Sequence, residues 1–585
     1  MTLRIMATTD LHGSLVAHDY FHDADTEPTG LWALKPVIDA LRADDHPSLL
    51  LDNGDFLQGS PLTDMTALRD EFFAHHPHPV IAMMNDLGFD AIGLGNHEFN
   101  FGLDILRKAV SDADAPILCC NLTPVEGPPL AVPFLLRKLA DGGPTVGIIS
   151  TAPPQITSWD RIVLQGSVAT EPMVPALTRT IDAARGAGAD IIVVLCHSGL
   201  GAADGSDAEE NLGRLVARMD GVDALILGHT HEIFPDSDLP PDTDIDLAAS
   251  LVHVTPTMQP AAFGAQLGVM DLDLDHNPKG TWRVVGSKVR LLEPTLPPET
   301  PPAPAVRVAH ERTLETMRRP VGTSEKRLHN YFARVANCET IQVVCDAQRF
   351  ALANEIAHSA FADLPVLSFA APYRSRVFRD QLEFVDIPAG PIARHHVYEL
   401  YPYPNLLCAA RMTGSQIEKW LNIVAQHFNP IKAGGGAQAL LNDHVPGYAF
   451  DVVDGLTYSF DLAGQPQAVE ICHNGHPVRA KDEFVVLGNS YRLGGAGLGQ
   501  DAPPEIIMTN KLPIHISIAE FFSAHDPLQP VAREIWSLAP IAGATGLFQT
   551  APAAQDLAVT RSDRSFADMG LISDGLVLQA ELNLS

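Results

Sequence analysis

Five short apolar runs in this chain each stop at a polar group able to bind a divalent cation. LRIMATT leads into Asp10, Leu11 and His12, SLLLDN into Gly54 and Asp55, DAIGLG into Asn96, His97 and Glu98, DIIVVLC into His197, and DALILG into His229, Thr230 and His231. Runs of this length, rich in leucine and β-branched residues, read as buried strands. Open α/β sheets place their chemistry just beyond the carboxyl ends of such strands. The five polar termini therefore converge on one site. A single Asp-x-His would carry little weight, since isolated histidines are mostly core or surface residues.

Imidazole, carboxylate and amide oxygen without thiolate suit Zn, Mn, Fe, Co or Mg, and a mixed N/O set with open positions suits hydrolysis better than a closed structural zinc. Five strand ends offer more ligands than one ion needs. Two divalent ions bridged by Asp55 account for the surplus, and such a pair can stabilise the attacking and leaving oxygens of a phosphoryl displacement.

At 585 residues the chain is too long for one core. Apolar strands alternate with helical patterns to about residue 275, the signature of α/β layers; helices are expected at Leu31 to Arg42, Val80 to Leu87 and Met173 to Ala187. Six prolines between Pro294 and Pro304 mark a semi-rigid spacer, followed by a helix from Ala305 to Met317 that bridges the halves. Residues 1–293, 294–320 and 321–585 are thus read as first domain, linker with bridging helix, and second domain. The second half is mixed, with a helix near Ala347 to Ala357, strand-like VLSFAAP and EFVVLGN, and glycine-rich stretches at 434–436 and 494–497. The first of these stretches is read as a flexible loop.

A formal charge of −32 leaves no basic stripe to displace phosphate counterions, so a nucleic acid polymer is not an expected partner. The charge is compatible with a small anionic substrate, since two bound divalent cations would dominate the local field. No run approaches the length of a membrane span. Met1 is followed almost at once by a strand, leaving no room for a signal peptide; the expected compartment is cytoplasmic as written, or periplasmic if the start is trimmed or misassigned. The seven cysteines show no CxxC spacing and read as reduced, buried thiols. Oligomeric state is not legible.

The order D-x-H, G-D, G-N-H-E, H and G-H-x-H resembles the calcineurin-like metallophosphoesterases, and the whole chain resembles their 5′-nucleotidase group. TTDLHG, DNGDFLQGSPL, LGNHEFNFGLD, PPQITSWD, HSGL, YPYPNLL and WSLAPIAG are similar to the branch that acts as 2′,3′-cyclic-nucleotide 2′-phosphodiesterase and 3′-nucleotidase. The resemblance implies a four-layer αββα domain followed by a mixed α/β nucleotide-binding domain. It implies one metal held by Asp10, His12, Asp55 and His231 and another by Asp55, Asn96, His197 and His229. His97 would face the phosphate, while Glu98 is read as structural. The 5′-nucleotidases usually carry Asp three residues after this histidine. Here Asn100 stands there, able to accept the ring N–H but not to stabilise imidazolium as a carboxylate would; the cyclic-phosphodiesterase branch also reads N-H-E-F-N.

The resemblance further implies that a nucleobase stacks between Tyr403 and Tyr491, which tolerates any base, with Asn405 toward the base and Arg374 toward phosphate or ribose. Where 5′-nucleotidases commonly have Asp in the last glycine-rich loop this chain has Ala496, so no ribose contact is assigned there. The expected activity is a dinuclear-metal hydrolase that opens 2′,3′-cyclic nucleotides to 3′-nucleotides and then releases phosphate. The alternatives are a 5′-nucleotidase or nucleotide-sugar hydrolase, a sulfur-oxidation thiohydrolase, and a noncatalytic nucleotide-binding protein. The last would be expected to lose metal ligands first, and all seven positions remain ligand-competent.

Overall fold

A computed structural model of the chain describes residues 1–68, 70–139, 142–202, 205, 210–240, 242–276, 281–378, 381–442, 444–499, 502–558, 566–572 and 577–585. It divides into two compact units, Met1–Thr316 and Met317–Ser585.

Unit 1 is built on two sheets. The first runs in the order Trp282–Leu292, Leu267–His276, Thr2–Thr8, Ser48–Asp52, Ala91–Gly93, Ile117–Leu118. The second runs Ile245–Asp246, Leu251–Val252, Thr255–Met258, Ala224–Ile226, Ile191–Cys196, Thr145–Thr151, Phe134–Lys138. Period-two alternation decides what lies between them. Leu3, Ile5 and Ala7 share one core with Ile148, Val193, Leu195 and Ile226 of the second sheet. Their alternates Ile192, Val194 and Cys196 pack instead with Met173, Leu177, Ile181 and Ala184 of helix Met173–Gly186. On the far side of the first sheet, Arg4 donates to the Leu41 carbonyl (3.1 Å) and ties helix Leu31–Arg42 over that face. The result is the expected αββα sandwich. Each buried Leu or Ile contributes roughly 1.5–3 kcal/mol, and a one-residue slip would turn Arg4 into the sheet–sheet core, so the register is strongly specified.

Strands Thr2–Thr8, Ser48–Asp52 and Ala91–Gly93 are mutually parallel, as are Thr145–Thr151, Ile191–Cys196 and Ala224–Ile226. Their carboxyl ends lead into Asp10, Asp55, Asn96, His197 and His229. This common polarity gathers residues more than two hundred positions apart.

Unit 2 centres on a five-stranded sheet in the order Val452–Asp454, Val366–Ala370, Glu483–Asn489, Leu406–Thr413, Glu505–Pro513. VLSFAAP and EFVVLGN form its neighbouring central strands. The helix expected at Ala347 to Ala357 begins two turns earlier, at Glu339. Ile341, Val343, Val344 and Cys345 in those turns are buried, and tertiary packing overrides the weak helix preference of a β-branched run. The 434–436 glycines lie in an exposed turn that enters the short strand Gly436–Ala439. Helix Pro304–Met317 follows the Pro-rich segment, and all but its last residue belongs to unit 1. None of the seven cysteines is in a disulfide, and six of them are buried. No helix among the described residues is long and apolar enough to cross a membrane.

Candidate metal centre

Five of the strand-end residues sit in the left-handed backbone region: Asp10 (φ 51°), His12 (47°), Asp55 (57°), His229 (73°) and His231 (58°). Such conformations are uncommon outside glycine and cost energy that the surrounding structure must hold, and they cluster where function dictates geometry. Here they turn side chains from separate strands inward.

Two groups of ligand atoms result. Asp10, His12 and His231 form one, Asp55, His197 and His229 the other, with the ligand atoms of each group within 4.8 Å of one another. Asp10, His12, Asp55, Asn96 and His197 are buried, while His229 and His231 are half-buried. The second nitrogen of each ring sets its direction. His12 Nδ1 donates to the Gln58 carbonyl (2.7 Å) and His197 Nδ1 to the Asn53 carbonyl (2.8 Å), leaving both Nε2 lone pairs for the centre. His229 is oriented the other way round, with Nδ1 2.9 Å from Asn96 Oδ1 and Nε2 3.9 Å from Glu210. Asn96 Oδ1 and His229 Nδ1 thus face each other at hydrogen-bond distance.

The atoms present fit cations. Asp55 Oδ2 and His197 Nε2 are buried, lie 3.0 Å apart and complete no hydrogen bond. His12 Nε2 and His231 Nε2 face each other at 2.9 Å. Gly95 leaves the space open: a Cβ there would come within 2.2 Å of Asp55 Oδ1 and 2.7 Å of His197 Nε2. Burial disfavours a charged His197, yet Asp55 and Asp10 outweigh it and raise the ring to about 10. Burial, then His231 and His97, lower His12 to about 3, and burial lowers His231 to about 4. The carboxylates thus demand positive charge that His12 and His231 cannot carry as protons. Divalent ions meet that demand directly.

Glu98 braces the site, as expected. Its carboxylate accepts four backbone N–H groups, from Phe56 (2.8 Å) and Leu57 (3.0 Å) on Oε1 and from Asp55 (2.9 Å) and Gly95 (2.6 Å) on Oε2. It thereby locks the Asp55 turn to the turn carrying Asn96 and His97. The His97 backbone N–H also donates to Asp55 Oδ1 (2.7 Å). The His97 ring is half-buried, its centroid 5.0 Å from that of His12, and its Nδ1 is 2.6 Å from Asn100 Oδ1.

Several neighbours carried no individual signal in the sequence. Trp159 stacks on His229, with centroids 5.7 Å apart and planes at 14°. Phe263 packs against both His12 and His231. Asp160 accepts from Asn100 Nδ2 at 2.9 Å. Burial raises the Asp160 carboxyl to about 6, against the opposing pull of Asn100 and His97.

In unit 2, Tyr403 and Tyr491 are half-buried and Tyr401 is fully buried. Tyr373 joins them, its ring 4.6 Å from Tyr401 and 5.8 Å from Tyr403, its hydroxyl accepting from Asn489 Nδ2 (3.3 Å). Burial pushes up the pKa of the Tyr403 hydroxyl, and Tyr448, Glu383, Tyr373 and Tyr491 add to the shift, so these groups share one neighbourhood. Asn405 Nδ2 points to Tyr401 Oη at 3.3 Å. Arg374 is half-buried just before strand Ser375–Phe378, its carbonyl accepting from Asn330 (2.6 Å). Buried Arg492 pairs with Asp451 (2.7 Å) and donates to the Ala496 carbonyl (2.8 Å), pinning the glycine-rich loop. A Cβ on Gly497 would meet Arg492 Nη1 at 2.3 Å, and its φ of 68° also favours glycine.

Two candidate metal-binding groups at the strand ends of an αββα sandwich define a metallophosphoesterase scaffold, and the chain belongs to the 5′-nucleotidase group of calcineurin-like phosphoesterases. Residues 3–232 match the calcineurin-like phosphoesterase family and residues 320–502 the 5′-nucleotidase C-terminal domain. The chain is 34% identical over 594 residues to the 2′,3′-cyclic-nucleotide 2′-phosphodiesterase/3′-nucleotidase of Salmonella typhimurium, covering 94% of this chain and 91% of that one. It is 32% identical over 595 residues to the trifunctional nucleotide phosphoesterase protein YfkN of Bacillus subtilis, covering 96% of this chain but 41% of that longer protein. The crystal structure of a 5′-nucleotidase precursor from Thermus thermophilus shares the fold, with a TM-score of 0.63 at 20% identity, covering 92% of this chain and 99% of that one.

Proposed function

We propose that the protein is a dinuclear-metal hydrolase that opens 2′,3′-cyclic nucleotides to 3′-nucleotides and dephosphorylates these to nucleosides. The observation that carries this reading is the pair of candidate ligand groups, Asp10, His12 and His231 beside Asp55, His197 and His229, with His197 Nε2 3.8 Å from Asp10 Oδ1, in a chain similar along nearly its whole length to such an enzyme. Asp10, His12, Asp55 and His231 would hold one ion, and Asp55, Asn96, His197 and His229 the other. Bound divalent ions, whether Mn, Zn, Co, Fe or Mg, supply Lewis-acid activation of water and charge stabilisation at the phosphoryl group.

The chain's own residues do the rest. His97, with Nδ1–H donated to Asn100, presents Nε2 to the phosphate and as imidazolium gives its proton to the departing oxygen. In each reaction a water adds to phosphorus and its surplus proton leaves to solvent. In the first the P–O2′ bond breaks and the His97 proton goes to O2′. In the second a further water adds, the P–O3′ bond breaks and the His97 proton goes to O3′ as phosphate leaves. His97 is reprotonated from solvent after each. Within unit 2, Tyr403 and Tyr491 stack on the base, Asn405 contacts its edge, and Arg374 supplies a cation toward phosphate or ribose. Base stacking is worth about 1–3 kcal/mol and does not discriminate among bases.

The test is phosphate release from 2′,3′-cAMP, 3′-AMP and 5′-AMP, alongside bis-p-nitrophenyl phosphate cleavage, after metal stripping and separate addition of Mn, Co, Zn and Mg. Activity restored by metal on the cyclic and 3′ substrates supports the reading. Preference for 5′-AMP moves the protein to the 5′-nucleotidase alternative, and no turnover with any metal leaves nucleotide binding as its role.

A further inference from the structure

We propose that Asp160 is a positioning residue for His97, acting through Asn100: it fixes which end of the Asn100 amide faces the imidazole and thereby which ring nitrogen carries the proton. The inference rests on the reading of His97 as the group that meets phosphate.

An asparagine beside a histidine is ambiguous on its own. Its oxygen can accept Nδ1–H, or its NH2 can donate to a bare Nδ1. The second arrangement forces the neutral ring's proton onto Nε2 and leaves an imidazolium with a donor against its Nδ1–H. Asp160 removes the ambiguity. An ionised carboxylate only accepts, so Asn100 must turn Nδ2 toward Asp160 Oδ1 (2.9 Å) and Oδ1 toward His97 Nδ1 (2.6 Å). The ring then keeps Nδ1–H in both protonation states, and Nε2 is the atom that exchanges its proton with substrate.

Asp160 occupies the N-cap of the short helix Arg161–Leu164, where an aspartate ordinarily accepts an N–H of its own helix. Its side chain makes no such bond; the carboxylate is turned to Asn100 and is 8% exposed as a residue. The preceding Trp159 stacks on His229. One short segment therefore supports a candidate ligand and the His97 chain together. A negative charge is thus set one residue beyond the partner of His97, with an amide between.

This arrangement predicts that the charge can be moved inward. The full-length, metal-loaded protein is compared with Asp160→Asn, Asn100→Asp, and the double variant Asn100→Asp/Asp160→Asn, using kcat and KM on 3′-AMP, metal content, and the imidazole 15N shifts of His97 assigned by their loss in His97→Ala. Asp160→Asn frees the amide to flip. Its kcat should fall about 10- to 100-fold, the usual cost of losing a partner that orients an active-site histidine, with KM and metal content nearly unchanged and the His97 shifts moving. Asn100→Asp alone sets two carboxylates at hydrogen-bond distance, which must share a proton, and should also be slow. The double variant restores one carboxylate and one amide in exchanged places, and should recover kcat to within a few-fold of wild type together with the Nδ1–H signature. Unchanged His97 shifts in Asp160→Asn, or a double variant as slow as the slower single, would overturn the proposal. Full activity in His97→Ala alongside a shifted His97 signal in Asp160→Asn would instead refute the catalytic reading of His97 while leaving the positioning intact.

Discussion

Replacing Glu98 by Gln keeps the side chain's shape while changing one buried oxygen to an NH2 and removing the carboxylate's charge, and it should be among the most damaging conservative substitutions in unit 1. Glu98 is fully buried, and each of its oxygens accepts two backbone N–H groups. Whichever oxygen is lost, two buried donors lose their acceptor and meet another donor. An unsatisfied buried donor costs roughly 1–3 kcal/mol, so the pair costs about 2–6 kcal/mol. The damage is also directed, because the orphaned pair is either Asp55 with Gly95 or Phe56 with Leu57. In both cases the Asp55 turn loosens relative to Asn96. Guanidinium unfolding followed by circular dichroism, with divalent ions per chain counted after dialysis, reads both consequences. Glu98→Gln should unfold at markedly lower denaturant and retain less metal. A stability within about 0.5 kcal/mol of wild type, the range of an ordinary surface change, together with full metal content, would refute the brace.

Asp55→Asn should weaken retention of both ions, whereas His231→Ala should chiefly release one, as metal analysis of the purified variants would show. Tyr403→Ala should raise KM for 3′-AMP about 5- to 150-fold, the equivalent of one lost base stack, while leaving turnover of bis-p-nitrophenyl phosphate, which has no base, nearly unchanged; equal losses on both would indicate a packing defect. In unit 2, Arg334 Nε donates to His427 Nε2 (2.7 Å), and burial with that guanidinium holds the imidazole well below its usual range. His427 therefore stays neutral when folded but protonates near 6.5 when unfolded, so its contribution is present above that pH and is lost as pH falls. Between pH 7.5 and 5.5 the wild type should lose about 1.4 kcal/mol more stability than His427→Gln, and parallel stability curves for the two proteins would contradict this.

The strand ends of unit 1 were legible because parallel strands buried on both faces read as unbroken apolar runs, and the fold then delivers their termini to one edge. That one regularity supplies the strand-end candidates, and the resemblance to the family implies which seven of them are ligands. Helix Glu339–Ala357 was recovered only in its second half, since Ile341, Val343 and Val344 resemble a strand until helix Ile514–Ala524, about 170 residues later, packs against it. Asp160 illustrates a different limit. It stands inside PPQITSWD, but its partner Asn100 is sixty positions away, and no periodicity or local spacing links a carboxylate to an amide across that distance. Phe263 lies outside every quoted motif and Trp159 only within PPQITSWD, and neither shows in the sequence the contacts with His12, His231 and His229 that exist in the folded chain.

The most direct test of the account is the order in which products appear from 2′,3′-cAMP with the metal-loaded wild-type protein. A centre that cleaves P–O2′ first and then accepts the monoester should show 3′-AMP rising and falling, adenosine and phosphate following with a lag, and little 2′-AMP. Dominant accumulation of 2′-AMP, or turnover confined to 5′-AMP, would contradict it.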